Sequence, residues 1–143
     1  MRSLNNESIL IFGDGTQTRD FTYVEDTVNG LIESVNCDKV AGRTLNVGSS
    51  FEISVNQIAE MILRLSGMTV TNTKYLNNRL GDVLRLHADS TEFRKITDWH
   101  PKTSLEDGLL KTIQWFRKRP EGFKTLLSQE KGINWRHVGE NQG

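Results

Sequence analysis

The sequence is poor in the residues that metal, disulfide and membrane chemistry need. Cys37 is the single cysteine among 143 residues. It excludes an internal disulfide and fits a reducing, cytoplasmic compartment. His87, His100 and His137 stand far apart and none lies beside Cys37, so no zinc-ligand spacing exists. Neither sign of charge is in surplus: 18 Lys and Arg balance 18 Asp and Glu, which removes the basic excess that would argue for nucleic acid. No apolar run approaches membrane-spanning length and no signal peptide opens the chain, so no membrane partner is expected. There is no repeat, no low-complexity linker, no P-loop and no Gly-x-Ser-x-Gly elbow. A dinucleotide fingerprint built on Gly13 and Gly15 would need a third glycine at position 18, where Thr18 stands.

What is present is organised around Ile9 to Asp26. Ser8 to Phe12 is a strand whose contiguous apolar residues call for cover on both faces. It ends in the turn Gly13-Asp14-Gly15. Arg19 follows, flanked by Thr18 and Asp20. A planar, permanently charged guanidinium at a turn suits a phosphate or carboxylate; the alternative is a hairpin in which Arg19 pairs with a neighbouring Asp. Met1 to Glu7 is too short for a stable helix.

From Val24 the period becomes helical and runs to about Asn36. Val24, Val28, Leu31, Ile32 and Val35 form the apolar face, and Glu25, Asp26, Asn29 and Glu33 lie largely opposite. Asp38 to Arg43 reads as a loop. Thr44 to Gly48 reads as a strand and Ser49 to Ile53 as its connection, with Ser49 and Ser50 as turn serines. Ser54 and Gln57 form a capping box for a helix over 55–66 that closes at Gly67. Thr69 to Leu76 is β-branched and strand-like.

Asn77 to Asp82 is a second polar loop, with Arg79 and Asp82 three apart around Gly81. Either the pair meets a ligand or it makes a local ion pair. Val83 to Ala88 is extended. Asp89 with Glu92 caps a short helix that turns Phe93 and Ile96 inward. Trp99-His100-Pro101 stops it. Thr103 or Ser104 caps a last helix with Leu105, Leu109, Ile113 and Phe116 inward. Its C-terminal half is rich in Lys and Arg, and Pro120 ends it. Trp99 and Trp115 read as core or rim. The expectation is a mixed α/β unit over 1–120, with short strands and three main helices, and a tail over 121–143.

The order of these motifs resembles the C-terminal part of the extended short-chain dehydrogenase/reductases, the NAD-dependent nucleotide-sugar epimerases, dehydratases and decarboxylases. The carrying pieces are Ile11 to Asp26, Leu45-Asn46-Val47-Gly48, Arg79-Leu80-Gly81-Asp82, Asp89-Ser90, Asp98-Trp99-His100-Pro101 and Ser104 to Leu109. Leu80 departs from the family's Pro, and Asp98 from its common Gly. The resemblance implies that Arg19 and Arg79 contact the pyrophosphate of a nucleotide sugar. It implies that Asp82 binds the ribose, and that Leu10 and Phe12 lie on the strand that meets the base. A UDP-sugar stands ahead of a dTDP-sugar.

In the family, a Tyr acts as base, NAD takes a hydride and a keto-sugar forms. The Tyr-x-x-x-Lys pair that does this is absent here, since Thr27 follows Tyr23 and Arg79 follows Tyr75 at that spacing. The Gly-x-x-Gly-x-x-Gly cofactor fingerprint is absent too. The resemblance therefore implies a fragment without the N-terminal Rossmann half, binding no cofactor and no metal itself and inactive alone, with NAD held by the missing half. Exposed apolar surface and self-association are expected. The alternatives are a non-catalytic nucleotide-binding or protein-interaction module and a purely structural α/β domain.

Overall fold

A computed structural model describes residues 1–68 and 73–119, together with Thr125 and Ser128. The expectations for Thr69 to Asn72, Pro120, Trp135 and His137 fall outside these residues, as does the rest of the tail apart from Thr125 and Ser128. The strands are β1 (Ile9–Phe12), β2 (Thr18–Asp20), β3 (Glu52–Ser54), β4 (Thr73–Leu76) and β5 (Arg85–Leu86); the helices are α1 (Val24–Val35), α2 (Val55–Ser66), α3 (Thr91–Thr97) and α4 (Leu105–Arg117). The architecture is mixed α/β, with three helices of 12 or 13 residues and one of seven.

Two small sheets stand in place of a hairpin. β1 pairs in parallel with β4, Ile11 opposite Tyr75 and Phe12 opposite Leu76. β2 lies at the centre of the second sheet, antiparallel to β3 and parallel to β5. The Gly13 to Gln17 turn carries the chain from one sheet to the other. Gly13 and Gly15 both adopt positive φ, near +78° and +75°, which glycine alone enters without a Cβ penalty.

Helix α2 forms as its local signals require. Ser54 accepts from the Gln57 N–H, Gln57 reaches back to the Ser54 N–H, and Gly67 closes the helix in the left-handed region. Its buried face, Ile58, Ala59 and Leu63, joins Ile11, Ile53, Phe93, Trp99 and Ile113 in the core. Phe93 and Trp99 meet edge to face at 5.6 Å. Trp115 lies at the half-exposed rim. In α4 only Gly108 and Ile113 are fully buried; Leu105, Leu109 and Phe116 are half-buried. Residues 2–5 form a 3-10 turn rather than a featureless lead, tied by an Arg2–Glu7 ion pair of 3.1 Å.

Four expectations are corrected. Thr44 to Gly48 joins no strand ladder; its Gly48 carbonyl accepts instead from the Ser90 hydroxyl and the Arg94 guanidinium, and the strand lies in the supposed connection, at Glu52–Ser54. Ser90, not Asp89, is the N-cap residue of α3. Its hydroxyl donates to the Gly48 carbonyl at 3.0 Å, while Asp89 accepts from the Thr91 N–H and Glu92 turns to Arg43. Strand β1 is fully covered only at Ile11. The fourth concerns α1, whose apolar stripe faces outward: Val24, Val28, Leu31, Ile32 and Val35 are 63, 46, 59, 51 and 85% exposed. The buried residues of α1 are Asp26 and Gly30. Asp26 turns inward because it accepts from the Lys102 and Thr103 backbone N–H groups, both at 3.0 Å. Gly30 turns inward because a Cβ there would stand 2.7 Å from Val47.

Candidate functional site

The site begins with the turn between β1 and β2, which the first turn of α2 grips. The Val55 and Asn56 N–H groups donate to the Gln17 and Gly15 carbonyls, each at 3.0 Å. These are the helix-terminal donors that have no partner within the helix. The Asn56 side chain donates to the Asp14 carbonyl at 2.9 Å and accepts from the Tyr75 hydroxyl at 3.1 Å. Gln17 donates to the Phe12 carbonyl at 2.8 Å. Asp14 accepts from both the N–H and the hydroxyl of Thr16, and these bonds hold its carboxyl below the usual range.

The second loop closes as a β-turn from Arg79 to Asp82. The Asp82 N–H donates to the Arg79 carbonyl at 3.2 Å, and Gly81 at the third position has φ +78°, as a type II turn requires. Leu80 sits where such turns favour proline; the turn forms without it because Gly81 supplies the positive φ.

These two loops border one cleft of about 360 Å³, lined by Phe12, Gly13, Gln17, Arg79, Asp82 and Leu84 among others. The Arg79 guanidinium stacks over the Phe12 ring at 4.1 Å, a cation–π contact. Arg19 donates through Nη2 to Asp82 Oδ1, and through Nη1 to the Thr18 carbonyl at 2.7 Å. Arg19 thus pairs with an Asp 63 residues away, not with its neighbour. Asp82 links the two arginines: it lines the cleft with Arg79 and holds Arg19, which is itself not among the lining residues. Leu10 lies in the β1–β4 ladder opposite Lys74, on the strand face shared with Phe12 and outside the cleft lining.

The neighbours of Arg19 are held from other elements. Asp20 accepts from the Ser49 hydroxyl, from the Ser50 N–H at 2.9 Å and from the Ala88 N–H at 3.3 Å. Ser50 itself takes φ +56°, so the two turn serines are anchored by that carboxylate. Glu52 of β3 accepts from Thr18 of β2 and, at 2.8 Å, from Arg85 of β5. Arg85 and Thr18 together draw the Glu52 carboxyl down to about 2. The roles of Asp20 and Glu52 went unread in the sequence; only the neighbouring Arg19 marked the place.

Among the described residues, the Gly13-Asp14-Gly15 turn does not form a dinucleotide cradle. Gly13-Asp14-Gly15 leads into a strand rather than a helix, and a Cβ at Gly15 would stand 1.9 Å from Asn56, so the turn is packed by protein. Among the described residues no group of three His, Cys, Asp or Glu gathers to hold a metal, and no helix is long and apolar enough to cross a membrane.

Fold and motif order together define the class as part of an extended short-chain dehydrogenase/reductase. The chain belongs to the GDP-mannose 4,6 dehydratase family, whose model matches residues 2–112. It is 39% identical over 119 residues to the UDP-glucuronate 4-epimerase of Thermodesulfobacterium geofontis, covering 82% of this chain and 36% of that one. The solved epimerase Mth375 of Methanothermobacter thermautotrophicus superposes with a TM-score of 0.81 at 31% identity, over 86% of this chain and 37% of that one. The UDP-glucuronic acid 4-epimerase of Bacillus cereus, solved with UDP-glucuronic acid and NAD, gives 0.76 at 30% identity, over 82% and 37%. A UDP-sugar decarboxylase and dTDP-glucose dehydratases are similar too. The chain therefore spans somewhat more than a third of the length of these relatives.

Proposed function

We propose that this chain is the substrate-anchoring, C-terminal portion of an NAD-dependent enzyme acting on a nucleotide sugar, as epimerase, dehydratase or decarboxylase. A UDP-sugar is the leading substrate. The observation that carries the reading is the joining of two distant loops at one cleft, Arg19 to Asp82 with Arg79 stacked on Phe12 beside them. A pyrophosphate diester carries about two negative charges, and two guanidiniums from separate loops match it bidentately. Asp82 accepts from ribose hydroxyls. Phe12 borders the base, with Leu10 on the same strand face outside the cleft lining. Holding the nucleotide at one end positions the sugar at the other.

Hydride chemistry falls to residues outside this sequence, which holds no Tyr-x-x-x-Lys and no glycine-rich cofactor loop. Relatives solved with NAD support that division. The fragment alone is then inactive.

Titration calorimetry with UDP tests the anchoring role. Arg19→Ala is expected to weaken UDP binding by about 10- to 100-fold, the range of a charge-assisted hydrogen bond. An affinity unmoved by Arg19→Ala would refute it. The outward apolar stripe of α1 supports one further role, a self-association surface.

A further inference from the structure

Arg19 and Asp82 occupy each other. Their side chains are only 20% and 30% exposed, so water screens the pair incompletely. Arg19 Nη2 is committed to Asp82 Oδ1 and Nη1 to the Thr18 carbonyl. Asp82 also faces the cleft that Arg79 lines. An anion entering that cleft meets Asp82 and Arg79 at its wall, while Arg19 is not among the lining residues and is held by a group of the anion's own charge. To take Nη2 it must displace Asp82, which then stands in the cleft as an acceptor without its donor, a costly state. A ribose brings hydroxyl donors that Asp82 can accept. Inorganic pyrophosphate brings none that compensates.

We propose that Asp82 is a specificity-determining place-holder: it keeps Arg19 from bare pyrophosphate and releases it to a ligand carrying diphosphate and sugar hydroxyls together. This rests on the nucleotide reading above. It adds that the site selects whole nucleoside diphosphates by coupling two groups, rather than by summing two independent contacts.

The test is calorimetry on the full chain with UDP and with inorganic pyrophosphate. The proteins are the wild type, Asp82→Asn, Arg19→Ala and the double variant. Pyrophosphate is expected to bind Asp82→Asn about tenfold tighter than wild type, with UDP no tighter. Adding Arg19→Ala should abolish the gain, because the gain is the released guanidinium. If the gain survives in the Arg19→Ala background, it reports only a lost negative charge, and the proposal is overturned. It is equally overturned if wild type binds UDP but Asp82→Asn binds pyrophosphate no tighter. Failure of wild type to bind UDP overturns the nucleotide reading and the place-holder with it. Should Asp82→Asn melt below the working temperature, Asp82→Ser provides the same comparison.

Discussion

Asp26 shows how a charged residue in a ligand-like motif can serve the backbone instead. It stands seven positions after Arg19, only 3% exposed. Its two oxygens take the Lys102 and Thr103 N–H groups and so tie the approach to α4 against α1. A buried carboxylate survives because those donors replace water. Asp26→Ala would strip both backbone groups of their acceptor and is expected to cost about 2 kcal/mol. Urea unfolding would read this as a lower midpoint at an unchanged slope. Asp20 plays a similar part next to Arg19, drawing the 49–50 turn and Ala88 together. Gly48 has no room for a side chain beside it, since a Cβ would lie 2.7 Å from that of Ala88.

Strand β2 owes its place to cross-strand side chains as much as to its ladder. It is three residues long, too short for backbone pairing alone to hold it firmly. Glu52 spans it, bound to Thr18 within and Arg85 beyond. The folded carboxyl lies near 2, well below its ordinary 4.5. The unfolded chain therefore binds the proton first as pH falls, which favours unfolding. Glu52 contributes its full stabilisation above pH 4.5 and loses it progressively down to about pH 2. Stability of Glu52→Gln is thus expected to fall less than that of the wild type over that window, in melts followed by circular dichroism. Parallel acid limbs in the two proteins would count against the clamp. Because β2 carries Arg19, the clamp also steadies the proposed anion site.

At the scale of the molecule, α1 is the anomaly. A helix normally turns its apolar stripe to the core, and this one turns five large aliphatics outward. The chain covers little more than a third of the relatives whose fold it shares, so an uncovered face is in keeping with a part of a larger fold. Sedimentation velocity is expected to show concentration-dependent association of the chain. The paired change Leu31→Glu and Val35→Lys should reduce it without lowering the melting temperature, since both sites are exposed. A wild type that sediments as a monomer at every concentration would refute the self-association surface.

The sequence by itself determined what depends on near neighbours. Helix α2 is legible because its cap, its stripe and its closing glycine lie within one short window, Ser54 to Gly67. The 79–82 turn is legible because Gly81 needs no distant help to turn. The family resemblance was legible because its motifs keep their order. Only the tertiary structure decided the rest. The period of α1 announces a helix, yet which side is buried depended on two backbone donors at 102–103 and on the room beside Gly30. Thr44 to Gly48 has strand composition, but a ladder needs a partner and the segment pairs with none of the five strands. Glu52 to Ser54 became a strand because β2 arrived next to it. Arg19 found Asp82 across 63 residues. Helix caps and tight turns close their hydrogen bonds within a few residues, whereas strand pairs and ion pairs between loops close only when the whole chain has folded around them.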